Sequence, residues 1–170
     1  MDSSPTATER LLLRAMTDDD LDDIAALLGD PVVMRHYPRP RTRDEARAWI
    51  DWTQASYREH GFGLWVLTER STGAFLGDCG LTMQRVDGVD ELEVGYHVRA
   101  DRQGEGFASE AAAAARDYAR DVLHAPRLIA IINPDNIPSQ RVAAKVGLSF
   151  EKETFYGHDQ HPVVIYAGVP

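Results

Sequence analysis

Stretches with apolar residues at the spacing of a strand alternate along the chain with stretches at the spacing of a helix, and their order predicts the strands and helices. A leucine-rich run, Arg10–Ala15, is typical of a first strand. Behind the acidic Asp18–Asp20, apolar residues recur at the spacing of one helix face, at Leu21, Ile24, Leu27 and Leu28. The segment Gly29-Asp30-Pro31 predicts the end of this helix, because glycine and proline both interrupt helices.

The middle of the chain predicts a second helix and then three strands. The helix begins at Thr42 or Arg43 and ends at Ser56. Two strand-like runs joined by a short turn form a hairpin, Gly61–Arg70 and Gly73–Met83. In the next strand the apolar Leu92, Val94, Tyr96 and Val98 alternate with Glu93, Gly95 and His97, the pattern of a half-buried strand. Gly95 within it is a candidate β-bulge.

The remaining pattern completes a layered α+β domain. An alanine-rich helix, Ala108–Leu123, leads to the short apolar strand Leu128–Ile132, which is of the buried, parallel type. A helix capped by Asn136 and ended by Gly147 follows, and the last strands are Leu148–Tyr156 and Val163–Val169. The length predicts a single domain over residues 1–170, with residues 1–8 as a flexible polar leader.

Composition narrows the classes of function. The net charge of −9 gives no basic footprint for nucleic acid and suits a cationic or amine-bearing partner. No apolar run is long enough for a bilayer, and the start of the chain does not resemble a secretory signal, so we expect a cytoplasmic protein. The single cysteine, Cys79, excludes an internal disulfide and is expected to be buried. His158 and His161 lack a third ligand in view, so no metal is predicted.

A glycine loop between the alternating strand and the alanine-rich helix carries the chemistry. Gln103-Gly104-Glu105-Gly106-Phe107-Ala108 places two glycines directly before a helix N-terminus. Main-chain amides without side chains beside them, together with the helix dipole, suit a pyrophosphate. Alone, the loop is also explained as a plain turn. A Rossmann-type dinucleotide site is excluded because its glycine loop follows the first strand, and this one follows the fourth predicted strand.

Three ordered features together resemble the GNAT superfamily of N-acetyltransferases. They are the strand with Glu93-Val94-Gly95-Tyr96, the glycine loop with its helix, and Asn136-Ile137-Pro138-Ser139 followed by Arg141–Gly147. Within the superfamily the chain is most similar to the branch that includes the ribosomal-protein alanine N-acetyltransferases. The resemblance implies a mixed, mostly antiparallel sheet of about seven strands, with two splayed parallel strands and about four helices.

The resemblance also implies the residues that bind acetyl-CoA. The pantetheine arm would enter between the splayed strands and pair with free backbone groups around Tyr96 and Val98. The loop amides would hold the pyrophosphate, and Asn136 and Ser139 would contact the pantetheine and sulfur. The cofactor-binding set is therefore Tyr96, Val98, Gln103, Gly104, Glu105, Gly106, Phe107, Ala108, Ser109, Asn136, Ser139 and Arg141. Glu105 departs from the family, which often carries a basic residue there, and so adds a repulsive charge. Four basic residues are candidates to compensate it, namely Arg99, Arg102, Arg141 and Lys145.

The function that follows is acetyl transfer from acetyl-CoA to a primary amine by direct attack in a ternary complex. Glu93 is the predicted general base, with His97 in reserve, and Ser139 is the predicted donor to the departing thiolate, with Tyr156 a weaker candidate. The alternative for Glu93 is an exposed carboxylate of an acidic strand. The alternative for the whole chain is a catalytically silent acyl-CoA-binding or sensor module.

The acceptor and the assembly stay open at this point. A protein N-terminus, an aminoglycoside, a polyamine and an amino acid analogue all fit, and so do a monomer and a homodimer. Four aromatic residues line an acceptor pocket or belong to the core: His36, Tyr37, Trp49 and Trp52.

Overall fold

The structure is a computed structural model that describes residues 4–170. The strands are β1 (Thr6–Ala7), β2 (Leu11–Ala15), β3 (Leu64–Glu69), β4 (Phe75–Val86), β5 (Val89–Val98), β6 (Leu128–Ile132), β7 (Ser149–Tyr156) and β8 (His161–Gly168). The helices are α1 (Leu21–Gly29), α2 (Arg43–His60), α3 (Phe107–Asp121) and α4 (Ile137–Lys145). Among the described residues, no helix is long and apolar enough to cross a membrane.

All eight strands form one mixed sheet in the order β1-β2-β3-β4-β5-β6-β8-β7. Neighbours are antiparallel except β5 and β6, which are parallel and are paired at one position, Glu93 opposite Ile129. Both strands extend beyond that position, β5 to Val98 and β6 to Ile132. The sheet therefore splits after Glu93, which confirms the predicted pair of splayed parallel strands.

Helices cover both faces of the sheet, because alternate residues of each strand enter different cores. On β3, Trp65 and Leu67 join the core beneath α3, whereas Leu64 and Val66 join the core beneath α1 and α2. The alanines of α3 that meet the sheet, among them Ala111 and Ala115, are fully buried. Their small side chains bring the helix backbone close to β4 and β5, which fixes the start of α3 beside the split.

Two local predictions differ from the structure. The ladder between β4 and β5 runs without a register shift through Gly80 opposite Gly95, so the predicted bulge at Gly95 is wrong. The helix α2 continues past Ser56 to His60, because tertiary contacts hold its last turns: the Tyr57 hydroxyl accepts a hydrogen bond from the Met16 amide (2.9 Å) and donates to the Leu64 carbonyl.

The start of the chain, for which the sequence predicts a flexible leader over residues 1–8, contacts the sheet over its described residues. Residues 1–3 lie outside the described part, but Thr6 and Ala7 pair with Leu13 and Leu12 of β2. The Thr8 hydroxyl donates a hydrogen bond to Glu110 at 2.6 Å. This segment is therefore an edge of the sheet that reaches the third helix.

Candidate active site

The glycine loop ends in a run of backbone N–H donors. Gly104 and Gly106 adopt left-handed backbone conformations, with φ of 82° and 86°, which side chains disfavour. None of the described residues accepts a hydrogen bond from the N–H groups of Gly104, Glu105 or Gly106. The next three N–H groups, from Phe107 to Ser109, open α3 without a side-chain cap. Six successive donors thus stand at the positive end of a helix dipole.

Arg10 holds this loop from the other end of the chain. Its Nη1 donates to the Glu105 carbonyl at 2.9 Å, and its Nε donates to Oε2 of Glu110 at 2.7 Å. Its guanidinium lies 4.3 Å from the centre of the Phe107 ring. A Cβ placed on Gly106 would stand 3.4 Å from Nη2 of Arg10. Arg10, which is not among the residues predicted from the sequence, therefore stabilises the loop through three contacts, with the Glu105 carbonyl, Glu110 and the Phe107 ring.

The charge of Glu105 is balanced in part. Arg102 donates to Glu105 (Nε to Oε2, 2.9 Å) and also to Glu69 (Nη2 to Oε1, 2.9 Å). Arg102 therefore offsets part of the repulsion expected from Glu105, because its positive charge is shared between Glu105 and Glu69. Arg99 forms an ion pair with Asp101 at 2.8 Å, so its charge does not compensate the charge of Glu105.

Two of the four basic candidates keep their charge free. Within residues 4–170, Arg141 and Lys145 of α4 form no ion pair. Both lie on the helix whose first turn contains Ser139. Of the four candidates, these two are therefore available to bind a phosphate group at this end of the sheet.

The first turn of α4 is joined to β5 across the split in the sheet. Asn136 caps the helix as predicted, with its side-chain oxygen accepting from the Ser139 amide at 3.2 Å. The Ser139 hydroxyl donates to the Tyr96 hydroxyl at 3.0 Å, and the Tyr96 hydroxyl donates to the Ser139 carbonyl at 2.8 Å. Burial raises the pKa of Tyr96. The side chain of Tyr96, for which the sequence suggested only a backbone role, thus contacts Ser139 directly.

The end of β5 is less open than the sequence suggested. The Val98 carbonyl accepts a hydrogen bond from the Gln103 side chain at 3.0 Å. Gln103 therefore ties the glycine loop to the strand, and the Val98 carbonyl already has a partner. We therefore expect the backbone groups of β5 that are free to pair with a ligand to lie nearer Gly95.

Glu93 lies at the split, on the opposite face of β5 from Tyr96. It is half-buried rather than exposed, and burial raises the pKa of its carboxyl group to about 8. No donor among the described residues reaches this carboxyl group. A Cβ on Gly95 would stand 3.3 Å from its Oε1, so the carboxyl group occupies space that a side chain at Gly95 would restrict. The acidic neighbours Asp90 and Glu91 are instead paired with arginines.

A chain of hydrogen bonds occupies the same face of β5 two residues beyond Gly95. Asp78 of β4 is fully buried opposite His97 in the ladder, and its two carboxylate oxygens each have a partner. His97 Nδ1 lies 2.8 Å from Oδ1, and Trp49 Nε1 donates to Oδ2 at 3.0 Å. His97 Nε2 lies 2.9 Å from the Tyr37 hydroxyl. We call these four residues, Trp49, Asp78, His97 and Tyr37, the Asp78 network.

The other aromatic candidates surround this network or lie beside Glu93. Trp52 is 40% exposed and packs on Trp49, with ring centres 5.3 Å apart. The Tyr156 hydroxyl donates to Gln84, and burial together with the charge of Glu93 raises the pKa of Tyr156 to about 12. Tyr156 therefore lies in the electrostatic field of Glu93. The backbone carbonyl of His36 accepts a hydrogen bond from the side chain of Asn133 at 3.1 Å.

Sequence reasoning missed Arg10, Gln84 and Asp78. Asp78 had a signal: it is the one carboxylate in an otherwise apolar strand run around Cys79, which is itself fully buried as expected. A buried carboxylate requires hydrogen-bond partners, so such a position predicts a polar network.

Comparison with known proteins agrees with this geometry. Residues 10–149 match the family described as the acetyltransferase (GNAT) domain, and the chain belongs to this family. It is 36% identical over 146 residues to the Bacillus subtilis protein YkkB, covering 85% of each chain.

Two solved structures illustrate the shared fold. An acetyltransferase from Agrobacterium tumefaciens has a TM-score of 0.82 at 23% identity, covering 95% of this chain and 92% of that one. The ribosomal L7/L12 α-N-protein acetyltransferase RimL, in complex with coenzyme A, has a TM-score of 0.77 at 17% identity, covering 95% of each chain. At these identities the likeness supports the fold, not a substrate.

Proposed function

We propose that the protein transfers the acetyl group of acetyl-CoA to a primary amine by direct attack in a ternary complex. The observation that carries this proposal is the half-buried, unpartnered Glu93 carboxyl group where β5 and β6 separate, with its pKa near 8. A carboxyl group with no partner and a pKa close to neutrality has the properties of a general base.

The residues around the split fit acetyl-CoA, which supplies the acetyl thioester when bound. The six amides from Gly104 to Ser109 would hold the pyrophosphate, and β5 would pair with the amides of the pantetheine arm. Asn136 and Ser139 at the start of α4 lie across the split from β5, with Tyr96 of β5 joined to Ser139, and Arg141 of α4 provides a cation that forms no ion pair within residues 4–170. The coenzyme A complex of RimL, which has the same fold, supports this assignment.

Glu93 takes the proton of the acceptor amine in this proposal. An alkylammonium has a pKa of about 10.4, so it must lose a proton before its lone pair can attack the thioester carbonyl. Glu93 takes this proton first, directly or through water. The new C–N bond then forms as the C–S bond breaks, and the second proton lost from nitrogen goes to the departing sulfur. His97 is less suited to this role because Asp78 and Tyr37 already engage both of its ring nitrogens.

Ser139 serves the leaving group. A thiolate that departs without a hydrogen-bond donor is poorly stabilised, and the Ser139 hydroxyl stands at the first turn of α4 with one proton to give. Its present acceptor is the Tyr96 hydroxyl, so the Ser139 hydroxyl turns from Tyr96 to the sulfur when the thiolate leaves. Tyr96 donates to the Ser139 carbonyl and so helps to hold the first turn of α4 in place.

The test is acetyl-CoA consumption measured against a panel of amines and N-terminal peptides, with CoA affinity measured in parallel by calorimetry. We expect micromolar to millimolar KM values for at least one primary amine. Tight CoA binding without acetylation of any amine would favour the acyl-CoA sensor instead. Cytoplasmic location and a monomeric or dimeric assembly remain predictions.

A further inference from the structure

The Asp78 network takes no part in the proton transfer proposed for Glu93, although both occupy one face of β5. His97 is four residues from Glu93, about 13 Å along the strand. Gly95 lies between them without a side chain, and the charge of Glu93 contributes to the raised pKa of Tyr37. A Cβ on Gly95 would meet, beyond its chain neighbours, only Oε1 of Glu93 within 4 Å among the described residues, so the surface over Gly95 is open between the Glu93 carboxyl group and the Tyr37 hydroxyl.

Donor and acceptor counting gives the direction of each hydrogen bond in the network when Asp78 is ionised and His97 is neutral. An indole N–H only donates, and an ionised carboxylate only accepts. Asp78 therefore accepts from Trp49 and from the Nδ1–H of His97. In neutral His97 this leaves Nε2 as an acceptor, and Tyr37 must donate to it.

The Tyr37 oxygen consequently remains free to accept. Its own proton is directed to His97, and burial first, then the charges of Glu93 and Asp78, raise the pKa of Tyr37, so the phenol stays protonated. Tyr37 as a whole is nonetheless 42% exposed, which leaves the residue accessible to a ligand. Tyr37 therefore accepts hydrogen bonds, and so does Glu93 once its carboxyl group is ionised, so that together they select a ligand with several N–H donors.

An aromatic surface adjoins this pair of acceptors. The ring centres of Tyr37 and His97 are 5.6 Å apart, those of His97 and Trp49 are 6.0 Å apart, and Trp52 extends the row from Trp49 to solvent. Aromatic faces attract ammonium groups and pack well against flat apolar groups. A hydroxyl-rich amine would lose hydrogen bonds to water against such a surface.

We propose that Tyr37 binds the acceptor amine, accepting an N–H that Glu93 does not take, and that Trp52 packs against a flat apolar group of the same molecule. The acceptor class is then a primary amine that carries an aromatic ring on a short alkyl chain. His97 and Asp78 are positioning residues, which act only by keeping Tyr37 in its accepting orientation. This inference rests on the acetyl transfer proposed above.

The test uses phenethylamine as the probe and n-butylamine as the comparison amine, with separate readouts for binding and turnover. Binding is followed by tryptophan fluorescence with CoA present, and turnover by steady-state kinetics. Tyr37→Phe should raise both the Kd and the KM of phenethylamine about tenfold, the loss of one hydrogen bond to a charged group. The KM of acetyl-CoA should stay within about twofold. The matched control is Tyr118→Phe, which removes a hydroxyl group from the distant helix α3.

Two further variants separate positioning from mere structural support. His97→Asn should also raise the KM of phenethylamine, but should add nothing in the Tyr37→Phe background, because it acts through the same hydroxyl group. Trp52→Ala should bring the preference for phenethylamine over n-butylamine close to about one.

The outcomes distinguish this inference from the proposed function. Unchanged phenethylamine Kd and KM in Tyr37→Phe would overturn the inference while leaving acetyl transfer intact, and so would equal binding of the two amines by the wild-type protein. Acetylation of no amine would overturn the proposed function, while a Tyr37-dependent Kd for phenethylamine would still support the binding site.

Discussion

Replacing Glu93 by glutamine should make the protein more stable at alkaline pH. The carboxyl group has an ordinary pKa of 4.5 and a pKa of about 8 in the fold, with burial as the cause. Because the folded-state pKa is the higher one, the folded protein binds more protons between these values. The wild-type protein is therefore most stable, with respect to this group, below pH 4.5, and it loses that stability as the pH rises to about 8. The Glu93→Gln variant has no such loss, because its amide does not ionise.

The size of the effect follows from the two pKa values. Their difference of about 3.5 corresponds to an upper limit of about 5 kcal/mol, at 1.36 kcal/mol for each pKa unit. Water reaches the half-buried carboxyl group and screens its charge, so we expect about 1–3 kcal/mol. In a domain of this length each kcal/mol moves Tm by about 2–4 °C. Glu93→Gln should thus raise Tm by about 2–12 °C at pH 9.

Calorimetry or thermal circular dichroism at pH 5 and pH 9 provides the assay, with Glu153→Gln as a matched control. Glu153 is an exposed glutamate on β7, so its variant should differ from wild type by the same small amount at both values of pH. A Tm difference for Glu93→Gln that is equal at pH 5 and pH 9, or that favours wild type at pH 9, would refute the argument that burial disfavours the charged form of Glu93.

Three further changes test the loop and the network. Gly106→Val should weaken CoA binding at least about tenfold in calorimetry, because a branched side chain disfavours the left-handed backbone and blocks the amides; unchanged affinity with a native circular dichroism spectrum would contradict the loop assignment. Arg10→Lys should raise the KM of acetyl-CoA several-fold with kcat little changed, because Lys cannot make the two guanidinium hydrogen bonds to Glu105 and Glu110. Arg39→Lys is the exposed control. Equal behaviour of the two variants would contradict a role of Arg10 in holding the loop. Asp78→Ala should lower the free energy of unfolding by about 3–5 kcal/mol in urea titration, because the donor on Trp49 is left buried without a partner; a loss under about 1 kcal/mol would contradict the network's stabilising role.

Local patterns in the sequence were sufficient for the segment that defines the family. The alternation of β5, the glycine loop, the alanine face of α3 and the cap at Asn136 are each readable within a few residues, and the structure has all of them. Even there, Gly95 was misread as a bulge, because a glycine in a strand indicates either a register shift or a need for space. The structure shows that the space is used by the carboxyl group of Glu93.

The contacts that complete the site join residues distant in the chain. Tyr37 and His97 are 60 positions apart, and Arg10 and Glu110 are 100 apart. Their meeting depends on strand order and on how the loop after α1 crosses the sheet, which periodicity does not encode. The partner of a buried carboxylate such as Asp78 can be expected from sequence, but its identity cannot.

The central claim, that Glu93 is the base of an amine acetyltransferase, is tested most directly by the pH dependence of kcat/KM for the best amine of the panel. Wild-type kcat/KM should rise through an inflection near pH 8, the pKa of Glu93, separate from the inflection of the amine at about 10. The Glu93→Gln variant should lose the inflection near pH 8 and be slower by about 10²–10⁴-fold near neutral pH, with partial recovery as free amine accumulates. A folded Glu93→Gln variant that keeps wild-type kcat/KM and the same inflection would contradict the claim.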